Sequence, residues 1–292
     1  MQLFSTILEL KKYRLAARSA GHSLGLVPTM GALHEGHLSL IAASRAANDR
    51  TVCSIFVNPI QFNNPDDLAR YPRTLEADAA ILEAAGCDAV FAPSSAEIYP
   101  QPPALKFDFG ALETVMEGRS RPGHFNGVGV VVAKLFHLVQ PDRAYFGQKD
   151  LQQCAVVRRL IDDLSFPLDL VVCPTQREAD GLAMSSRNRN LSAEERANAP
   201  FLFAELTKAS ALLTEGQATE AVKMGIETDF AQNPAFRLDY FEVADPATLL
   251  PLSGPLGGRP AALCVAAFLG VTRLIDNVVL EPPRRAAGEG HA

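Results

Sequence analysis

Residues 28–37 read Pro-Thr-Met-Gly-Ala-Leu-His-Glu-Gly-His, and their neighbours narrow what the chain can fold into. Before them stands Leu24-Gly25-Leu26-Val27, an apolar run with the length of a buried strand. After them Leu38, Leu40 and Ile41, with Ala and Ser between, suit a helix. Two glycines and two histidines therefore fall on a strand-to-helix turn. Backbone N–H groups point outward unpaired at such a turn, and the helix dipole adds positive potential, so anions bind there.

The spacing Gly31-x4-Gly36 meets the glycine requirement of a nucleotide phosphate loop, but His37-Leu38 stands where that loop needs Lys followed by Ser or Thr. A Gly-x-Gly-x-x-Gly dinucleotide fingerprint is also missing from this turn. What remains is a phosphate-sized site with imidazoles in place of lysine. An imidazole can donate a hydrogen bond to a phosphate oxygen as well as carry a proton.

The chain has 292 residues, enough for one large or two ordinary domains. It carries 27 Lys plus Arg against 33 Asp plus Glu, which argues against a nucleic-acid binder. The short basic groups, Arg119/Arg121, Arg158/Arg159 and Arg187/Arg189, suit small anions better than a polymer. The five cysteines form no Cys-x-x-Cys pair, and most sit in apolar runs, so buried free thiols are expected. The N-terminus lacks the pattern of a secretory signal, and no stretch reaches the length of a membrane span. A soluble, cytoplasmic protein is the expectation.

Up to Pro174, strand-like and helix-like segments alternate. Strands are expected at 24–27, 51–57, 88–92, 144–146 and 168–173, and helices at 39–47, 75–85, 125–139 and 152–163. This repetition predicts an α/β fold, a Rossmann-like parallel sheet with helices on both faces. A polar loop then runs to Asn190. Ser192 and Glu195 have capping-box spacing, two helices follow, and strands are expected at 238–243, 262–268 and 272–279. That is a smaller C-terminal α+β domain. The expected division is 1–175, 176–282, and a disordered tail at 283–292.

Further polar clusters bear on chemistry. Asn58-Pro59-Ile60-Gln61-Phe62 ends a strand, where open parallel sheets bind ligands; its amides suit hydroxyls or carbonyls, although Asn58 also suits an ordinary turn. In Tyr71-Pro72-Arg73-Thr74, Thr74 can cap the next helix, and Asp78 beyond it is either a metal-associated carboxylate or an exposed helical Asp. Arg121-Pro122-Gly123-His124 repeats the anion-site pattern before an apolar helix. Gly147-Gln148-Lys149-Asp150 follows a strand, with Lys149 a cation for phosphate and Asp150 either a ribose ligand or a cap. Met184-Ser185-Ser186-Arg187 places two hydroxyls and a guanidinium on the polar loop, a segment that could close. The set offers many phosphate donors, few carboxylates and no serine nucleophile elbow. It is equipment for transfer at phosphorus, where positioning and charge stabilisation dominate.

Taken together, PTMGALHEGH at 28–37, FVNPIQF at 56–62, YPRT at 71–74, RPGHFNGV at 121–128, YFGQKDLQQ at 145–153 and READGLAMSSRNRNLS at 177–192 resemble the pantothenate synthetase (pantoate–β-alanine ligase) family, within the His-x-Gly-His nucleotidyltransferase superfamily. The resemblance covers essentially residues 1–280. It implies ATP-dependent condensation of (R)-pantoate with β-alanine through a pantoyl adenylate, releasing AMP and pyrophosphate, with Mg2+ accompanying ATP. It further implies that Met30, Gly31, Ala32, Leu33, His34, Glu35, Gly36 and His37 line the ATP site, with His37 as proton donor. Gly147, Gln148, Lys149, Asp150 and Gln176 would hold the nucleotide, and Met184, Ser185, Ser186 and Arg187 would close over its phosphates. His34, His37, Lys149, Ser186 and Arg187 would be catalytic, Gln61 and Gln153 would bind pantoate, Gln61 would also meet β-alanine, and Asp78 would lie near the metal. The first domain would bind nucleotide and pantoate, the second would serve as a lid, and the family implies a homodimer.

Two stretches depart from the family's usual residues: Gln176 beside the adenine, and Gly129-Val130 near the pantoate pocket. The rival readings are a nucleotidyltransferase that leaves the nucleotide on a small-molecule product, a relative of aminoacyl-tRNA synthetases, and a non-catalytic nucleotide sensor. The acidic balance and the lack of room for a tRNA-reading domain weigh against the second of these.

Overall fold

The computed structural model describes residues 1–281, the side chain of Asp67 excepted, so the tail expected at 283–292 lies outside the described residues. The chain forms two compact units, Met1–Arg189 and a second beginning at Asn190.

The first unit opens with β1 (Gln2–Phe4), α1 (Ile7–Ser19), β2 (Leu24–Thr29), α2 (Glu35–Ala47) and β3 (Arg50–Ile55). A 3-10 turn at Pro59–Gln61 leads to α3 (Pro65–Arg70), α4 (Leu75–Ala84), β4 (Ala89–Phe91) and α5 (Ser95–Ile98). A 3-10 turn at Gly110–Glu113 precedes α6 (Met116–Ser120), α7 (His124–Val139) and β5 (Arg143–Gly147). The turn Gln148–Asp150 then enters α8 (Leu151–Leu164), followed by β6 (Asp169–Cys173). The six strands pair in parallel in the order β1-β4-β3-β2-β5-β6. This is the α/β sheet the alternation implies. The chain reverses its winding between β2 and β5, so the loops after those two strands flank the crevice where such sheets bind ligands.

Strand residues alternate between two cores, as the pleat requires. Leu26, Val52, Phe91, Ala144 and Phe146 face α1, α7 and α8. Val27, Cys53, Val90 and Tyr145 face α2 and α4. Sheet strands covered on both sides read as continuous apolar runs, which is why they are visible in the sequence. All five cysteines are free and buried. Among the described residues, no helix is long and apolar enough to cross a membrane.

Several elements escape the sequence reading. β1 and α1 precede the first strand it places, although Thr6 and Glu9 form a capping box that marks the start of α1. The helix expected from Ser39 begins four residues earlier, because the imidazole of His34 caps it. The short helices α3, α5 and α6 have too few residues to show a period.

The unit boundary also differs, falling at Arg189–Asn190 and not at 175–176. The polar stretch reads as a linker by composition but pairs with itself: Met184 N–H donates to Gln176 O at 2.9 Å, and Arg177 bridges Ala183. Arg189 Nη2 donates to Leu33 O at 3.2 Å, tying the stretch to the first unit.

The second unit contains α9 (Ala193–Asn198), α10 (Phe201–Thr214), α11 (Thr219–Gln232) and an antiparallel sheet of β7 (Phe236–Ala244), β8 (Ala261–Leu269) and β9 (Thr272–Leu280). Ser192 and Glu195 form the expected capping box. Phe201, Phe230 and Phe236 stack at centroid distances of 5.0–5.8 Å where α10 and α11 meet the sheet.

One contact in the first unit has no room for a side chain. A Cβ on Gly127 would lie 2.5 Å from Ile60 O and 2.7 Å from Gln61 Cα, so α7 packs its backbone directly on the turn that presents Gln61. Gly127→Ala is expected to cost about 1–3 kcal/mol through overpacking, lowering the thermal midpoint by roughly 3–10 °C. Calorimetry checks this, and an unchanged midpoint contradicts the contact.

Candidate active site

The loop after β2 is held from behind. Gly31 and Ala32 lie in the left-handed region at φ +82° and +52°. For Ala32 this conformation costs about 1–2 kcal/mol, which the surroundings must offset. Asp78 supplies the restraint: its Oδ2 accepts from Ala32 N–H at 2.9 Å and its Oδ1 from Leu33 N–H at 2.8 Å. Thr74 Oγ1 donates to Asp78 Oδ2 at 3.1 Å and forms no helix-cap bond. Asp78 is only 2% exposed. Both of its oxygens bond this segment, so its structural part here is to hold the loop. Among the described residues, no group of three or more His, Cys, Asp or Glu could hold a metal ion.

The restrained loop delivers His34 and His37. His34 is the N-cap of α2, and its Nδ1 accepts from Gly36 N–H at 3.2 Å. His37 Nδ1 accepts from His34 N–H at 3.4 Å. The two rings lie 4.1 Å apart between centroids. Because each Nδ1 accepts a backbone proton, the hydrogen-bond pattern assigns both rings their proton on Nε2. Burial is the main force on their acidity, followed by neighbouring positive groups. His34 is lowered to about 4 by burial, Lys149 and Arg189, and His37 to about 3 by burial, His34 and Lys149. At neutral pH these are two uncharged imidazoles, each with an N–H donor.

Both imidazoles line a cleft of about 220 Å³ in the first unit. Met30, Gly36, Gly147, Lys149, Asp150 and Gln176 line it too, as do Met184, Ser185, Ser186 and Arg187. Lys149 Nζ lies 3.8 Å from Asp150 Oδ1. Ser185 Oγ accepts from Arg187 N–H at 3.3 Å, which shapes the turn carrying Arg187. The remaining expected nucleotide residues do not line the cleft: Gly31, Ala32 and Leu33 are buried in the loop, Glu35 is exposed, and Gln148 is half-buried outside the lining.

Gln61 and Gln153 lie in the same lining, against an apolar wall of Val128, Val131, Val132, Leu135, Phe56 and Phe146. Asn58 is 1% exposed and spends its side chain on the protein: Nδ2 donates to Gln61 Oε1 at 2.9 Å and Gly127 O at 3.1 Å, while Oδ1 accepts from Tyr99 OH at 2.9 Å. His124 bonds Gln61 O through Nδ1 at 2.8 Å, and its Nε2 lies 3.3 Å from Arg121 Nη1. Burial and Arg121 lower His124 to about 4. Arg121 and His124, from the second anion-site pattern, also line the cleft, as does Tyr71. Gly129, one of the two departures from the family pattern, lies against Phe109, whose ring would be 2.7 Å from an added Cβ.

Two measurements test this geometry. With the imidazoles depressed from 6.5 to about 4 and 3, the unfolded chain takes up protons that the folded one refuses as pH falls below 6.5. Their contribution to stability is therefore full above that value and is lost as pH falls toward the folded values. Imidazole 15N NMR at about pH 6 is expected to show both rings neutral with Nε2 protonated, and a signal from either imidazolium contradicts the assignment. Asp78→Asn leaves one carbonyl oxygen facing two N–H groups, and should cost about 1–3 kcal/mol in urea unfolding. Raising the magnesium concentration should not restore that loss, as it would for a lost metal ligand.

Comparison with known proteins shows the family. The family model described as Pantoate-beta-alanine ligase matches residues 2–279. The chain is 51% identical to the pantothenate synthetase of Moorella thermoacetica, over 96% of this chain and 99% of that protein. It is 48% identical to that of Bacteroides thetaiotaomicron, over 95% of this chain and 98% of that protein. The solved pantothenate synthetase from Thermus thermophilus superposes with a TM-score of 0.89 at 46% identity, over 97% of this chain and all (100%) of that one. The pantoate–β-alanine ligase from Francisella tularensis, solved in complex with Beta-gamma ATP and β-alanine, gives a TM-score of 0.77 at 34% identity, over 96% and 97% of the two chains. With its family motifs gathered in one cleft and the match running nearly end to end, the chain belongs to the pantoate–β-alanine ligase family.

Proposed function

We propose that the cleft performs the family's ligation in two steps, with charge handled at one end and the organic substrate held at the other. The chain is a ligase that joins pantoate to β-alanine at the expense of ATP. A pantoate carboxylate oxygen attacks the α-phosphorus, and the bond to pyrophosphate breaks. The β-alanine amine then attacks the acyl carbon of the pantoyl adenylate, a proton leaves the amine, and AMP departs.

The first step gathers negative charge on the α-phosphoryl oxygens and on the leaving pyrophosphate. His34 and His37 offer Nε2–H donors there, and Lys149, Ser186 and Arg187 add an ammonium, a hydroxyl and a guanidinium. Preorganised donors of this kind contribute more in a desolvated cleft than in water. His37, implied as the proton donor, begins neutral. A polyphosphate against it opposes the effect of burial and favours the imidazolium, so nucleotide binding itself would load the proton. Magnesium accompanying ATP would neutralise phosphate charge, in the manner of an ion held mainly by phosphates and waters with one or two carboxylates. A homodimer in the cytoplasm goes with the same reading.

Gln61 and Gln153 supply amide contacts for pantoate, and the wall formed by Val128, Val131 and Phe146 suits its dimethyl carbon. Met184–Arg187, closing over the phosphates, would keep water from the acyl adenylate. The observation that carries the reading is the convergence of His34, His37, Lys149 and Arg187 on the cleft that also holds Gln61 and Gln153.

The test mixes enzyme, ATP and pantoate without β-alanine. Pyrophosphate should appear in a single turnover, and β-alanine should then discharge the mixed anhydride to AMP and pantothenate. A stable adenylylated product would support the nucleotidyltransferase rival. His37→Ala and Lys149→Ala should each slow adenylate formation by at least about a hundredfold. Single-turnover rates within a few-fold of the parent enzyme would defeat these roles.

A further inference from the structure

The network behind Gln61 determines which end of its amide a substrate meets. Gly127 O is a backbone carbonyl and can only accept, so the Asn58 atom 3.1 Å from it is the amide nitrogen. That places Asn58 Oδ1 toward Tyr99, whose hydroxyl donates to it at 2.9 Å. The second N–H of Asn58 points at Gln61 at 2.9 Å, and only an oxygen can receive it there. Gln61 Oε1 is thereby committed to the protein. Its Nε2 is left 3.3 Å from Met30 Sδ, a weak acceptor, in the cleft lining.

We infer that Tyr99 and Asn58 are positioning residues that lock the Gln61 amide with its N–H2 toward the substrate, so that this corner of the cleft selects a hydrogen-bond acceptor. The inference rests on the reading of Gln61 as a pantoate contact, and it adds the polarity of that contact. The atom of pantoate meeting Gln61 is then an oxygen presenting a lone pair, either hydroxyl or carboxylate. A substrate carrying an ammonium at that point meets two N–H groups and is rejected.

The lock has no loose end. Asn58 is 1% and Gln61 7% exposed, so water cannot supply partners for a reversed amide. The Gln61 backbone is fixed as well, by His124 on its carbonyl and by the close packing of Gly127 on its Cα. Tyr99 lies outside the cleft lining, with its ring 6.0 Å from Phe56 and Lys134 Nζ 5.6 Å from its centroid. It therefore acts on substrate through Asn58 and not by touching it.

The experiment measures pantoate KM, kcat, the Kd of a non-hydrolysable ATP analogue and the thermal midpoint for Tyr99→Phe, Asn58→Asp, Gln61→Ala and the double variant Tyr99→Phe/Gln61→Ala. Tyr99→Phe should raise pantoate KM by about 3–10-fold, the effect of one neutral hydrogen bond, with a smaller change in kcat and none in nucleotide Kd. Asn58→Asp removes the N–H that holds Oε1. Gln61 then turns its own N–H2 to the new carboxylate and shows oxygen to pantoate, raising KM by at least about 30-fold. In the Gln61→Ala background, Tyr99→Phe should have no further effect on KM. If Gln61→Ala leaves pantoate KM unchanged, the reading of Gln61 itself fails. If Gln61→Ala raises KM but Tyr99→Phe multiplies it equally in both backgrounds, or weakens nucleotide and pantoate alike, the relay is overturned while the reading of Gln61 stands.

Discussion

The buried carboxylate of Asp78 is the restraint on which the rest of the site depends. Two adjacent backbone N–H groups close on its oxygens, and this bidentate clasp holds Ala32 in a conformation that a residue with a Cβ resists. The direction in which α2 leaves the sheet follows from that turn, and so does the capping of α2 by an imidazole. A charged group serves well here because a hydrogen bond to a carboxylate is stronger than one to a neutral acceptor. The anchor comes from α4, a different connection of the same sheet, so the loop is set by tertiary structure and not by its own sequence alone.

The cleft then separates two kinds of polarity. Fixed positive charge enters on long side chains, Lys149 and Arg187, while the imidazoles are kept neutral by burial and by Lys149, with Arg189 adding to the effect on His34. This arrangement lowers the cost of the apoprotein, because fewer like charges are forced together before an anion arrives. The same lining holds amides and aliphatic side chains, and the Gln61 amide takes its direction from Asn58, itself fixed by the carbonyl of Gly127.

Much of this was legible in the sequence because the signals are local. The buried strands show as apolar runs, the Ser192–Glu195 cap as a spacing, and much of the cleft lining as His-x-Gly-His, Gly-x-Lys-Asp and Met-Ser-Ser-Arg. Features that depend on partners distant in the chain were not legible. Asp78 looks like any acidic residue in a first helical turn until its N–H partners, 45 and 46 residues earlier, are known. Tyr99 carries no motif, and its meaning lies in a bond to Asn58 across 41 residues. The start of α2 was placed late because histidine is not among the usual N-cap residues. The expected boundary near 175 and the division at Arg189–Asn190 differ because a polar hairpin and a linker have the same composition, and only internal pairing separates them.

Helix α7 belongs at once to the interior and to the cleft. Val128, Val131, Val132 and Leu135 fill the core beneath the sheet and also form the apolar wall opposite the amides. No layer of dispensable residues lies between the scaffold and the chamber. Variation that repacks this helix, whether by drift, by adaptation to temperature or by deliberate redesign, recuts the wall of the cleft. Durability and selectivity are thus inherited together along a single stretch of backbone, and neither can be tuned there without moving the other.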